Sequence, residues 1–145
     1  MIELTGNSEF INYIHQNSQM GQNTIKQLIT ITEDDGFKTI LENQFNEYKN
    51  IYEQSAQLLS ETDKESKSIS PITKISTYIM INMKTLNDKS PSHIAQMLIQ
   101  GSTMGIIDIT KKLKVYKDTE PKILELGNRL LQFEQASIEE LKKYL

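Results

Sequence analysis

All three prolines of this chain stand where a stripe of apolar residues at helical spacing begins, and that placement restricts the fold more than any other feature. Proline has no backbone N–H and holds φ at about −65°, so it suits the first turn of an α-helix and disrupts its interior. Ser70-Pro71 and Ser90-Pro91 each pair an N-cap residue with proline at the first helical position, and Asp118-Thr119-Glu120-Pro121 opens a further helix. From Pro71 run Ile72, Ile75, Ile79, Met83 and Leu86. From Pro91 run Ile94, Met97, Leu98, Gly101, Met104, Gly105, Ile109, Leu113 and Tyr116. From Pro121 run Ile123, Leu126, Leu130, Glu134, Ser137, Leu141 and Leu145. Each set follows the alternation of three and four that gathers side chains on one helix face.

Two more helices precede these. Ile11, Ile14, Ile25, Leu28 and Ile29 share a stripe within about Ser8 to Thr32, interrupted by an unusually polar stretch from Gln16 to Gln22. Thr32-Glu33-Asp34-Asp35-Gly36 combines N-cap residues with a turn glycine and joins this helix to the next. That helix runs from about Gly36 to Glu61 on Phe37, Leu41, Gln44, Tyr48, Ile51, Ser55 and Leu58. Thr62 to Ser70 has no apolar period and reads as a solvated loop. Tyr78 to Ile81 is the most strand-like run, and its flanks are helical. The fold class is therefore all-α. Four long helices with short first and last connections, and a long middle one over about 62–90 that carries a short helix, describe an antiparallel four-helix bundle with one crossover, a single domain over residues 1–145.

The remaining sequence excludes several functions. There is no cysteine among the 145 residues, which removes disulfides, thiolate metal sites, iron–sulfur clusters and a cysteine nucleophile. A net charge of −3 without a dense basic cluster speaks against nucleic acid. No run approaches the 18 or so apolar residues of a membrane span, and Met1 to Asn7 lacks the basic and apolar regions of a signal peptide, so no membrane insertion and a cytoplasmic location are expected. No nucleophile elbow, phosphate-cradling glycine loop or Ser-His-Asp spacing occurs.

Met20-Gly21-Gln22 in the first helix, Gln44-Phe45-Asn46-Glu47-Tyr48 in the second, Gln100-Gly101-Ser102 in the fourth and Glu134-Gln135-Ala136-Ser137 in the last resemble the ferritin-like superfamily, in particular its small bacterial members. The resemblance covers about Ser18 to Leu145. It implies a site in which two helices each give a glutamate and two give a Glu-x-x-His pair to a pair of iron or manganese ions. Here Gln22 takes the first position, neither Gln44 with Glu47 nor Glu47 with Asn50 includes histidine, Ser102 stands where a carboxylate is expected, and Glu134 is followed at i+3 by Ser137. The resemblance thus implies the location of a metal site without its ligands, and no cofactor is expected. If iron or manganese does bind, Glu134, Glu47 and Asp108 are the ligands to expect.

What remains is a polar layer of Gln22, Gln44, Tyr48, Ser102, Glu134 and Ser137 on otherwise apolar stripes. A carboxyl group there costs several kcal/mol, on the order of 3–5, unless it is paired or protonated. The plainer reading is that Glu134 bonds Tyr48, Gln22 or Gln44 and fixes helix register. His15 and His93 lie on different helices and are not expected to share a metal. Gly101, Ser102, Thr103 and Gly105 predict a close approach by another helix, and Met80, Met83, Met97 and Met104 predict core filling. The all-round apolar Tyr78 to Met83 predicts burial on two sides, either by the bundle and the crossover or by a second copy in a homodimer. These readings favour a non-enzymatic structural or protein-interaction module, with a metal-binding or oxidoreductase protein and a small-ligand binder as the alternatives.

Overall fold

The computed structural model describes residues 2–61 and 73–145, in which five helices and no strand occur: α1 (Ile2–Ile31), α2 (Asp35–Glu61), α3 (Thr73–Lys84), α4 (Pro91–Val115) and α5 (Pro121–Lys142). The expected loop from Thr62 to Ser70, the Ser70-Pro71 start signal and Ile72 lie outside the described residues. The other two proline signals act as their chemistry requires. Ser90 is the N-cap of α4, with its hydroxyl accepting from the His93 N–H at 3.2 Å, and Pro91 and Pro121 occupy first-turn positions.

α1 and α2 pack side by side, as do α4 and α5; α5 also touches α1 and α2, and α3 lies on α4. The turn between α1 and α2 is made by Thr32, Glu33 and Asp34, with the Phe37 N–H donating to Asp34 Oδ1 at 2.8 Å. Gly36 is thus not the turn residue but the second residue of α2, because Asp34 supplies the cap two residues earlier. At the other hairpin, the Glu120 N–H donates to Asn7 Oδ1 at 3.3 Å and ties the start of α5 to α1.

The core divides into two apolar clusters. One joins Phe10, Ile11, Tyr13 and Ile14 of α1 with Ile51 and Leu59 of α2, Ile109 of α4, and Ile123, Leu126 and Leu130 of α5. The other joins Ile25 and Leu28 with Phe37, Leu41, Ile94, Ala95, Met97, Leu98 and Leu141. The start of α1 therefore lies with the start of α5 and the ends of α2 and α4. It follows that α1 and α5 run one way, α2 and α4 the other, and that the connection containing α3 returns from one end of the set to the other.

Several boundaries and faces differ from expectation. α1 begins six residues before Ser8, with Gly6 lying against the Tyr116 ring, and α5 gives way after Lys142 to tighter i→i−3 bonds rather than running to Leu145. Met97 is buried, but Met80 is 51% exposed and Met104 only partly covered, so the methionines do not form one core cluster. α3 buries Ile75 and leaves Met80 and Ile81 exposed, so burial on both sides of Tyr78 to Met83 is not found among the described residues.

Close packing of α1 on α5 depends on Gly127. A Cβ there would stand 2.7 Å from Cζ of Phe10, a ring with no exposed surface. Gly127→Ala gains about 1 kcal/mol of helix propensity but must displace a rigid buried ring, which costs about 1–3 kcal/mol. Equilibrium urea unfolding is expected to show a net loss of stability, and a gain would mean that the α1–α5 contact is looser than described.

Candidate functional site

Between the two apolar clusters lies a polar seam, and in it a partly open cavity of about 40 Å³. α1 lines it with Asn17, Met20, Gly21, Thr24 and Ile25, α2 with Tyr48, α3 with Ile75 and Ile79, α4 with Leu98, Gly101, Ser102 and Gly105, and α5 with Glu134. At about 10–15 Å³ per water-sized group, it has room for roughly three or four such groups.

Glycines shape this space. The Glu134 carboxyl lies directly on Gly105, where any Cβ would collide with it. The Tyr48 ring fills the groove over Gly21, with ring carbons 2.5–2.6 Å from the place of a Cβ, and meets Phe133 edge-on at 4.8 Å between centroids. Gly101 accommodates Ile79 and Tyr78 of α3, as the small-residue patch on α4 predicts; Ile79 Cδ1 would stand 3.2 Å from a Cβ. The Tyr78 hydroxyl bonds the Gln100 side chain and Met97 carbonyl beside it and fixes α3 there.

Glu134 is 2% exposed, and its Oε2 has no hydrogen-bond partner among the described residues. The expected bonds to Tyr48, Gln22 or Gln44 are not made, and Gln44 Nε2 is itself buried without a partner among the described residues. Burial first, and the Asp108 carboxylate second, push the Glu134 pKa up to about 8. The group is therefore mostly a neutral acid at pH 7. Its surroundings are acidic: burial and Asp108 raise the Tyr13 phenol, and burial and Glu134 raise that of Tyr48. Asn17 Nδ2 donates to the Tyr13 hydroxyl at 3.4 Å, which also meets Asp108. Among the described residues no Lys, Arg or His lines the cavity; Lys112 rests over the Tyr13 ring, 4.8 Å from its centroid.

Of the residues singled out from sequence, Tyr48, Ser102 and Glu134 share the cavity. Gln22 does not: α1 presents Gly21 instead, one position away, because the buried stripe passes through Asn17, Ser18, Thr24 and Ile25. Gln44 and Ser137 are buried outside the lining, Ser137 with its hydroxyl donating to the Phe133 carbonyl at 2.9 Å. Glu47 is not a neighbour of Glu134. It forms a two-pronged ion pair with Arg129 at 2.8 and 2.9 Å, partly exposed between α2 and α5, since its place one residue before Tyr48 turns it outward. Asp108 does approach Glu134, and among the described residues no three His, Asp or Glu side chains form a metal-sized group.

The histidines are apart. His15 stacks on Tyr52 at 4.3 Å and shares a 2.9 Å hydrogen bond with Ser55, and burial lowers its pKa; His93 stands at the start of α4. Asn17, Thr24 and Tyr13 were not anticipated as site residues. The one sequence signal was the polar stretch from Gln16 to Gln22, which contains Asn17 and is flanked by Tyr13 and Thr24.

The raised pKa has a consequence for stability. Folded Glu134 keeps its proton to about pH 8, whereas a glutamate in the unfolded chain releases it near 4.5, so the folded state binds more protons between these values. Its contribution is full below about pH 4.5, falls as pH rises, and is lost above about 8. At about 1.4 kcal/mol per unit this amounts to roughly 3–5 kcal/mol. Glu134→Gln should abolish this component, so the stability difference between variant and parent, followed by urea unfolding from pH 4.5 to 9, should shift in favour of the variant as pH rises. Taking the difference cancels the opposite slope from His15. No family model matches the chain, and neither a curated protein nor a solved structure does.

Proposed function

We propose that this chain is a ferritin-like four-helix bundle, formed by α1, α2, α4 and α5 with α3 in the crossover, that lacks the two-metal site and binds a small molecule in its place without catalysing a reaction. The helix directions support the bundle, and the position of the cavity, midway between two apolar clusters, supports the site. The observation that carries the reading is Glu134, a carboxyl group buried at the cavity wall whose Oε2 is unpartnered among the described residues. A layer that served only to fix helix register would satisfy its polar groups on one another, because an unmade buried hydrogen bond costs about 1–3 kcal/mol. Neither Glu134 Oε2 nor Gln44 Nε2 is satisfied in that way.

An iron or manganese site is the weaker reading. It would retain Glu134 and Asp108 and lose Glu47 to Arg129, leaving two carboxylates where bridged metals use carboxylates and imidazoles from four helices. Self-association belongs to the same proposal in a subordinate place, through the exposed Met80 and Ile81 of α3.

Protein purified from cells grown with added iron and manganese is expected to carry less than one metal per chain by elemental analysis. A set of fragments of roughly three or four non-hydrogen atoms, titrated while amide NMR signals are followed, is expected to shift Asn17, Gly21, Ser102 and Gly105 together. Gly105→Ala drives the Glu134 carboxyl into the cavity and should remove those shifts. If no fragment moves these amides, the binding reading is wrong.

A further inference from the structure

The cavity has a chemical bias that narrows its ligand. Both titratable side chains in its described lining are acids, Glu134 from α5 and Tyr48 from α2, and two further acids, Asp108 from α4 and Tyr13 from α1, interact electrostatically with Glu134. The nearby cation, Lys112, is engaged with the Tyr13 ring. An anionic ligand would meet the Glu134 carboxyl group and no cation among the described lining residues. A ligand cation would meet a carboxylate without a competing partner and a tyrosine ring able to attract it.

The rest of the lining sets the ligand's size and shape. Asn17 Nδ2 donates to Tyr13, and Ser102 and Thr24 add hydroxyls to the wall. Ile25, Ile75, Ile79 and Leu98 make the rest of the wall apolar. With about 40 Å³ available, the occupant has roughly three or four non-hydrogen atoms.

We propose that the cavity binds a short primary alkylammonium ion, its charged end on the Glu134 carboxylate beside Tyr48 and its alkyl end against Ile75, Ile79 and Leu98. This rests on the small-molecule reading above and names the ligand class for it. A divalent ion is less suited, since it needs several oxygen or nitrogen ligands and the site supplies two carboxylates at most. An ammonium needs one carboxylate and a few neutral acceptors. Binding transfers one proton out of the site: neutral Glu134 releases it to solvent as the cation enters, and the ion pair replaces the neutral acid.

The test is isothermal titration of the full chain with n-propylammonium chloride, with 1-propanol and sodium acetate as neutral and anionic comparisons. An alkylammonium keeps its charge to above about pH 10, as a lysine does. Affinity is therefore expected to rise about tenfold per pH unit from 6 to 8 and to level off above about 8, following ionisation of Glu134. At pH 6.5, heats measured in buffers of different ionisation enthalpy should give about one proton released per ligand bound. Glu134→Gln should weaken binding at pH 9 at least tenfold and flatten its pH dependence. Should that variant fail to fold, proton release by the unmodified protein still decides. Propanol or acetate binding as tightly as propylammonium at pH 9 would overturn the ligand class while leaving the binding site standing. Absence of binding by all three, with unmoved amide signals, would overturn both.

Discussion

The structure depends on one contact between a carboxyl group and a missing side chain. Glu134 can lie at the centre of the protein only because position 105 has no Cβ, and the whole mid-level of the helix set is arranged around that fit. α4 and α5 approach closely here. The acid fills the space at the price of losing water, and the loss moves its proton affinity into the physiological range. Replacing either member of the pair would alter helix spacing, local charge and the cavity wall together.

The same device recurs above and below this level. Gly21 receives Tyr48, Gly101 receives Ile79, and Gly127 receives Phe10, so the α1–α2, α3–α4 and α1–α5 contacts are each keyed by a large side chain against a glycine on a neighbouring helix. A glycine inside a helix costs about 1 kcal/mol relative to alanine. Two of these keys, Phe10 and Tyr48, are aromatic groups packed in the core clusters, which recovers that cost through burial, and the third, Ile79, is partly buried against α4. The fourth is the acid, which recovers nothing by hydrophobic burial. Its cost is concentrated in the seam, and the two clusters on either side carry the stability that tolerates it.

The helices were largely legible because their signals are local. Proline at a helix start, a capping serine or aspartate, and apolar residues every three or four positions depend on the chain within a turn or two, and Ser90-Pro91, Asp34 and the α5 stripe behave accordingly. The site was legible only in part because its contents are not local. Glu134 and Ser102 stand on apolar stripes and could be picked out as exceptions. The partners of each exception depend on helix rotation, and one position of rotation separates Gln22 from Gly21 and Glu47 from Tyr48. Along a helix, one position turns a side chain by about 100°, enough to take Glu47 from the centre to an ion pair with Arg129. Asn17 and Tyr13 were hidden for a different reason: they lie on the buried side of α1, where a polar atom looks like a solvated face until its neighbours are known.

The two unpartnered groups make the seam costly to hold. Gln44 could be replaced by leucine or methionine at similar volume, and so could Glu134, and each change would remove a buried polar atom without a partner among the described residues. A protein required only to pack its helices would gain stability from those replacements. The chain instead keeps both polar groups, keeps the glycine that admits the acid, and lines the adjoining space with neutral acceptors and short apolar walls. Taken together these features cost stability and create a place where one charge can be neutralised. That combination is the physical reason to look for a ligand in the cavity before looking for a partner on the surface.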